Sequence, residues 1–410
     1  LSADGKTVTG KANAIISNAA VDAAKYSASA NTATATSEGA SRAYLAGATV
    51  AGAQKLTVRT TGASVALPEQ GNSALSISGV GAGLVLLYAN ANGTFEAYID
   101  TDNASVQAGA IEVSVRHEAK ADAALSTPEK GVSASIGSAE TNVALAGVGL
   151  RASAGIKGSG AVKTGALDVT AAGNAVARAL VKKPEVAISG AKIAANVLTA
   201  KLTGAQSAYI DVAGLVAGNV SVTAKYNEGN TRDNAAAQAI LGDTAVSASL
   251  ANAQTHVLTA QDASAVEARV NLRGTGSTGK MNVLAAGSST ARAGLEGGAA
   301  SVTLLGVGVV KASAKANASF TARMSAEENA DVTVDGDLSV KADYTADAYA
   351  SVAQPAGGVS GVSADVNVAE ASVAPAGTGK SGYAGVTGTG TLRVQGSVDV
   401  AARAKAHADA

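Results

Sequence analysis

A five-residue motif, Gly-x-[Leu/Ile/Met/Val]-x-Val, recurs along the whole chain in six copies and one looser copy, GAQKLTV. The first apolar residues of the seven copies are Leu56, Ile111, Leu167, Val220, Met281, Leu338 and Val398. The mean spacing between them is about 57 residues, and it varies little from copy to copy. A fixed period of this length is typical of repeat proteins, in which each unit contacts its neighbours along the array. We therefore interpret residues 1–410 as a single array of about seven repeats and as a segment of a longer chain.

Each motif opens a long run in which apolar or small residues alternate with polar ones. In the run Leu338–Val352, LSVKADYTADAYASV, the alternation does not slip over fifteen residues. A two-residue period is that of a β-strand, whereas residues two apart point to different sides of a helix. The sequence therefore predicts an all-β fold whose inward faces are built mostly from alanine.

The composition limits the size of the core and the classes of partner. Hydrophobic residues make up 47% of the chain but aromatic residues only 3%, which favours thin, closely packed layers over one bulky core. The 31 basic and 32 acidic residues give a net charge of −1, which argues against nucleic acid as a partner. The absence of cysteine excludes disulfides and thiolate metal sites. No apolar run is long enough for a membrane helix, so we expect no transmembrane span.

Three extended segments are predicted in each repeat, separated by turns. The first ends near a proline in four repeats, at Pro68, Pro128, Pro184 and Pro355. The third contains AYID in two repeats, where Tyr98 and Tyr209 stand at the same distance from the start of their repeat. We interpret the segments as three coils of roughly nineteen residues each in a right-handed β-solenoid. The alternative is an array of long-stranded antiparallel hairpins in a sandwich or meander, which the fifteen-residue alternation favours.

The repeat resembles that of very large exported bacterial adhesins. The glycine-led opening, the alanine-rich strand and the runs Ala74–Asp102 and Gly358–Ala384 are most similar to leukotoxin-family filamentous adhesins, relatives of the filamentous haemagglutinin group. The resemblance implies a fibre that is secreted or displayed on the bacterial surface, with a role in adhesion and virulence. It also implies export through an outer-membrane pore and a receptor on a host cell, a matrix or a neighbouring cell.

Candidate metal ligands are confined to two loops. Calcium prefers closely spaced carboxylate and amide oxygens, which Asp100, Asp102 and Asn103 supply in YIDTDN and which VDGDL offers at Asp335 and Asp337. Neither loop matches the EF-hand pattern, and the competing interpretation is that these residues form turns. We keep Asp100, Asp102 and Asn103 as the calcium candidate and expect no other cofactor.

No catalytic constellation is evident. His117, His256 and His407 lie in separate repeats. We expect His117 to be a hydrogen-bonded interior residue, because it falls on the apolar face of its run, and His407 to be exposed. An enzyme on a β-helix scaffold would need a repeat that breaks the pattern to supply a charged groove, and we find none. We therefore predict a non-enzymatic repeat segment of an adhesin, acting as a stalk or fibre.

The alternative function is a self-assembling subunit of an extracellular filament or sheath. Its copies would associate through the ends or the sides of the solenoid, because unpaired strand edges favour association. Both hypotheses place the protein outside the cell or on the bacterial surface.

Overall fold

The computed structural model of the chain describes residues 8–126, 131–183, 185–231, 234–243, 246–296, 300–352, 358–373 and 382–410. About 90% of the described residues lie in strands, and none of them lies in a helix. The strands are β1 (Val8–Ala46), β2 (Val50–Asp100), β3 (Val106–Ser126), β4 (Gly131–Lys183), β5 (Glu185–Tyr226), β6 (Ala237–Asp243), β7 (Val246–Asp262), β8 (Ala265–Leu272), β9 (Thr275–Glu296), β10 (Ala300–Ala316), β11 (Ser319–Ala326), β12 (Asp331–Val334), β13 (Leu338–Val352), β14 (Gly358–Ser372), β15 (Gly382–Gly388), β16 (Thr391–Val394) and β17 (Val398–Asp409).

Every strand pairing among the described residues is parallel and joins residues about one repeat apart. The shortest separation is that of Gly173 from Tyr226, and the longest is that of Phe320 from Gly382. One turn of the chain around the solenoid therefore contains the whole repeat, and the fold is a β-solenoid. The prediction of three coils of nineteen residues is wrong, and the parallel pairing excludes the antiparallel alternative.

The residues that open the seven repeats stack in one column. Pairing runs without a break through Leu56, Ile111, Leu167, Val220, Met281, Leu338 and Val398. The tyrosines of the two AYID copies likewise share a column, in which Gly155 lies between Tyr98 and Tyr209. The sequence period is therefore the period of the hydrogen-bonded ladder.

The three extended segments of a repeat are successive sides of one coil. In the coil that begins at Leu338, β13 contacts both β14 and β15 across the interior. Segments about nineteen residues apart therefore face each other through the core, and they do not hydrogen-bond as neighbouring strands. One of the predicted turns is absent, because Pro68 lies inside β2, paired with Ala14. Pro128, Pro184 and Pro355 lie outside the described residues.

The motif glycine forms a corner of the coil. Pairing between β3 and β4 passes from Ala108 to Ala110 and skips Gly109, so the backbone leaves the ladder at this point. The next coil approaches closely there, and a Cβ added to Gly279 would lie 2.1 Å from the carbonyl oxygen of Gly218. Glycine recurs at this position because there is no room for a side chain between stacked corners.

The core is thin and built mainly from alanine and valine, as predicted. In β13 the predicted inward residues from Leu338 to Ala350 are all buried, and the polar set between them is partly or fully exposed. Burying these small side chains removes little area per residue, so stability must accumulate over many coils.

One level of the core holds large side chains opposite glycines. Phe95 fills the space over Gly62, since a Cβ there would lie 2.0 Å from its ring. His117, Tyr226 and Tyr344 occupy the same column as Gly62, alternating with Gly173 and Gly287. Phe320 stacks on Tyr344 with ring centroids 4.9 Å apart. Large and small residues therefore compensate both along the column and across the core.

Candidate functional site

The predicted calcium ligands form a corner of the solenoid. Asp100 Oδ1 accepts a hydrogen bond from the Asp102 N–H at 3.0 Å, and Asp100 Oδ2 lies 3.4 Å from Lys157 Nζ. Asp102 Oδ1 accepts from the Ser159 N–H at 2.8 Å. That hydrogen bond, helped by the nearby cations, holds the pKa of Asp102 below its usual range. The two carboxylates are thus occupied by donors from their own coil and the next one.

The same corner recurs with a different sequence, EENA at 327–330, which lacks the Asp-x-Asp spacing of YIDTDN. Asn103 has a φ of 57°, and Asn329 takes the same place in another coil with a φ of 68°. Each turn is closed by one backbone hydrogen bond of 3.0 Å. The Ala104 N–H donates to the Thr101 carbonyl oxygen, and the Ala330 N–H donates to the Glu327 carbonyl oxygen. Asparagine is favoured here because it tolerates the left-handed backbone. Within the described residues, no group of three or more His, Cys, Asp or Glu side chains is placed to hold a metal ion.

The three histidines lie in different environments. His117 is 4% exposed and stacks on Phe95, with ring centroids 6.1 Å apart. Neither of its ring nitrogens has a hydrogen-bond partner among the described residues, so it is interior but not hydrogen-bonded as expected. Burial lowers the pKa of His117 to about 4, and the nearby Gln206 only partly offsets this, so the ring is neutral at pH 7.

His256 ends a buried polar ladder that the sequence analysis missed. Asn142 Nδ2 donates to Asn196 Oδ1 at 2.8 Å, and Asn196 Nδ2 lies 3.0 Å from His256 Nδ1. All three side chains are buried in successive coils. His407 is exposed, as predicted, and lies 3.4 Å from Asp347. The histidines are therefore structural or exposed residues in separate surroundings.

One coil departs from the regular length of the repeat. Between the paired positions Tyr226 and Ala237 the chain has ten residues, whereas the preceding coil has three between Gly173 and Ala177. Side chains replace the interrupted ladder at this excursion. Asn227 Oδ1 accepts from the Ala175 N–H at 2.7 Å, and Thr290 Oγ1 accepts from the Ala236 N–H at 2.7 Å.

A buried polar cluster lies beneath the excursion. Ser264 Oγ donates to Tyr226 Oη at 2.8 Å, and the Ser264 N–H donates to Asp262 Oδ1 at 3.2 Å. Burial raises the pKa of Asp262 to about 6 and the pKa of Tyr226 well above its usual value. All three side chains are enclosed, with at most 2% of each residue exposed. The three side chains are therefore interior residues of the coil, and they hydrogen-bond mainly with one another.

The accessible features lie on the outward face of the second and third sides. A shallow groove of about 630 Å³ crosses five coils and is bordered by Glu38, Asn92, Thr94, Arg151, Thr203 and Ala263. Its lining is mixed, with one carboxylate, one guanidinium and the hydroxyl groups of two threonines among small residues.

A ladder of aromatic and charged side chains runs beside the groove. Tyr44 stacks on Tyr98 with centroids 5.4 Å apart, and Arg269 lies over Tyr209 at 5.2 Å. Ion pairs flank these rings, including Arg42 with Glu96 at 2.6 Å and Arg323 with Glu267 at 2.9 Å. The outward face therefore presents a repeated set of polar and aromatic groups along the solenoid axis.

Comparisons with known proteins identify no relative. No protein-family model, curated protein or solved structure matches the chain. The part of the chain that the structure describes contains no helix that could span a membrane.

Proposed function

We propose that this chain is a non-enzymatic structural segment of a bacterial adhesin fibre, secreted or anchored at the cell surface. The observation that carries the proposal is that every strand pairing among the described residues is parallel and joins positions about one repeat apart. A uniform ladder stacks the same side surface on itself in each coil, which is the property a fibre needs.

The dimensions of the solenoid favour a role in presenting a side surface over a role as a long spacer. Neighbouring strands are about 4.8 Å apart, so each repeat adds only about 4.8 Å along the axis. Eight stacked layers, counted from Val8 to Ala404 in one column, extend about 34 Å, whereas a fifteen-residue side such as β13 is about 50 Å long. Each coil contributes a wide band of surface, so we propose that the coils present a lateral binding face.

Tyr44, Tyr98 and Tyr209 lie along one outward face, and we call them the tyrosine ladder. This face is the proposed receptor surface. Tyrosine combines a large apolar ring with a polar tip, and arginine adds charged hydrogen-bond donors; both residues are enriched in recognition surfaces. Three further predictions belong to the same proposal. They are the calcium site at Asp100, Asp102 and Asn103, export through an outer-membrane pore, and a receptor on a host cell, a matrix or a neighbouring cell.

Cell attachment tests the proposal. Beads coated with the chain should attach to host cells or extracellular matrix, and Tyr98→Ala with Tyr209→Ala should reduce attachment at least about tenfold if these rings anchor the contact. Val216→Ala, at a half-exposed residue away from the ladder, is the matched control and should leave attachment unchanged. Attachment no better than that of uncoated beads would refute the adhesive role.

A further inference from the structure

Large apolar side chains are exposed together at the start of the second side. We name eight of them, each between 57% and 76% exposed, the apolar stripe: Ile136, Ile188, Ile193, Leu250, Val302, Leu304, Leu305 and Val307. They lie on β4, β5, β7 and β10, which are four consecutive layers. Each of these layers has a neighbour on both sides, so the exposure is not an effect of the chain ends.

The interior under the stripe is polar, which reverses the usual pattern. Ser189, Ser249 and Thr303 stack in one buried column, with the hydroxyl oxygens of Ser249 and Thr303 3.4 Å apart. The hydrogen-bonded ladder fixes the register of each strand. The apolar side chains therefore cannot turn inward unless all the remaining residues of the strand also change face, which would expose its buried side chains. The stripe is therefore a fixed apolar surface of the folded chain.

We propose that the apolar stripe is a lateral interface with a second copy of this chain. One of its columns, that of Leu305, continues through Tyr26 and Val80 in earlier layers and Val362 in a later one, all at least 48% exposed. Seven layers at about 4.8 Å, each roughly eight residues or about 26 Å wide, give a footprint of roughly 900 Å². A stable protein–protein interface of standard size buries about 800 Å² on each partner.

The chemistry of the stripe fits another solenoid better than a lipid surface. Segments 134–141, 188–195, 248–255 and 302–309 contain one basic residue, Lys192, and it is buried. Attraction to anionic lipid needs exposed Lys or Arg, which these segments lack. A second copy has the same strand spacing, so its side-chain rows can fit between those of the first over the whole footprint. A two-fold arrangement of identical stripes closes as a dimer.

This inference does not depend on the adhesive role. Tyr209 follows Ile193 by sixteen residues on β5, so the stripe and the tyrosine ladder occupy separate parts of the surface. Pairing through the stripe leaves the ladder accessible on both copies.

Sedimentation equilibrium of the full 410-residue chain tests the interface. The wild-type chain should form a dimer as its concentration rises, and Leu250→Lys with Leu304→Lys should weaken dimerisation at least about tenfold, since charges at an interface core are strongly disfavoured. Val216→Lys is the matched control, because Val216 is also half-exposed on a strand but lies outside the stripe. It should dimerise like the wild type.

A cross-linking measurement covers the case in which the lysine variant fails to fold. The chain has no cysteine, so single variants Leu304→Cys and Val216→Cys can be compared with a short bismaleimide linker. Cross-linked dimer at position 304 and none at position 216 is the expected result. A monomeric wild-type chain, association that the stripe variant leaves unchanged, or equal cross-linking at both positions would overturn the proposal. Binding of monomers to vesicles of neutral phospholipid through the stripe would overturn it as well.

Discussion

Replacing Gly62 by alanine should destabilise the protein through one identifiable contact. A Cβ at this position would lie 2.0 Å from Cε1 and 2.7 Å from Cδ1 of Phe95, where carbon atoms normally stay about 3.5–4.0 Å apart. The Phe95 ring is fully buried, so it cannot move aside into solvent. Overpacking of this kind costs about 1–3 kcal/mol of the free energy of unfolding.

The partner substitution shows whether the contact is the cause. Phe95→Ala should cost about 3–5 kcal/mol, because it leaves a cavity over Gly62. In that background Gly62→Ala should cost nothing further, since its methyl group occupies space that the ring has left. The two substitutions should therefore be non-additive by about 1–3 kcal/mol, as for residues in direct contact.

Urea unfolding followed by far-UV circular dichroism is the assay. Repeat arrays can unfold in more than one step, so the whole curve is compared and not only its midpoint. Gly137→Ala is the control, because its Cβ would meet only the Ala191 carbonyl oxygen at 4.0 Å and the change should be close to neutral. The reasoning fails if Gly62→Ala is as harmless as Gly137→Ala, or if the two substitutions at positions 62 and 95 add independently.

Three other substitutions probe the glycine corner, the buried amide ladder and the buried carboxyl group. Gly279→Ala should lower the thermal midpoint more than Gly137→Ala does, because its Cβ would meet the Gly218 carbonyl oxygen at 2.1 Å; equal midpoints would contradict the corner role of the motif glycine. Asn196→Ala should cost about 1–3 kcal/mol in urea, since it removes the acceptor of Asn142 and the donor to His256; an unchanged curve would show that the buried ladder contributes nothing. Burial raises the pKa of Asp262 from 3.8 to about 6, so its carboxyl favours the folded state below about pH 4 and loses that contribution as the pH rises through 6. Asp262→Asn should therefore match the wild type at about pH 4 and be more stable by up to about 3 kcal/mol above about pH 7, and a gap that does not change with pH would refute the assignment.

The repeat and its inward face could be predicted from the sequence because both depend on local spacing. The seven residues from Leu56 to Val398 stack in one column, and the alternation in Leu338–Val352 matches its burial. The length of the coil could not be derived in the same way. Extended segments nineteen residues apart are equally compatible with stacking as neighbouring strands and with facing each other across a core.

The packing of aromatic side chains against glycines could not be predicted from the sequence for a related reason. Gly62 and Phe95 are separated by more than half a repeat and belong to different sides of the coil, so only the folded cross-section shows that they share one space. The excursion between Tyr226 and Ala237 did leave a signal. The spacing from Val220 to Met281 is the longest of the six, and it contains the polar run YNEGNTRDN. The polar cluster of Tyr226, Asp262 and Ser264 depends on this excursion and required the structure.

The central claim is that one coil equals one repeat, and an engineered disulfide tests it most directly. Ser153 and Ser207 are partners in adjacent layers, one repeat apart, and both face outward. Paired residues of adjacent strands lie about 4.8 Å apart, within the Cα range of about 4.4–6.8 Å that a disulfide allows. Mild oxidation of Ser153→Cys with Ser207→Cys should give an intrachain disulfide, whereas Ser153→Cys with Ala172→Cys, nineteen residues apart, should give none. Disulfide formation by the second pair and not by the first would contradict the account and restore coils of nineteen residues.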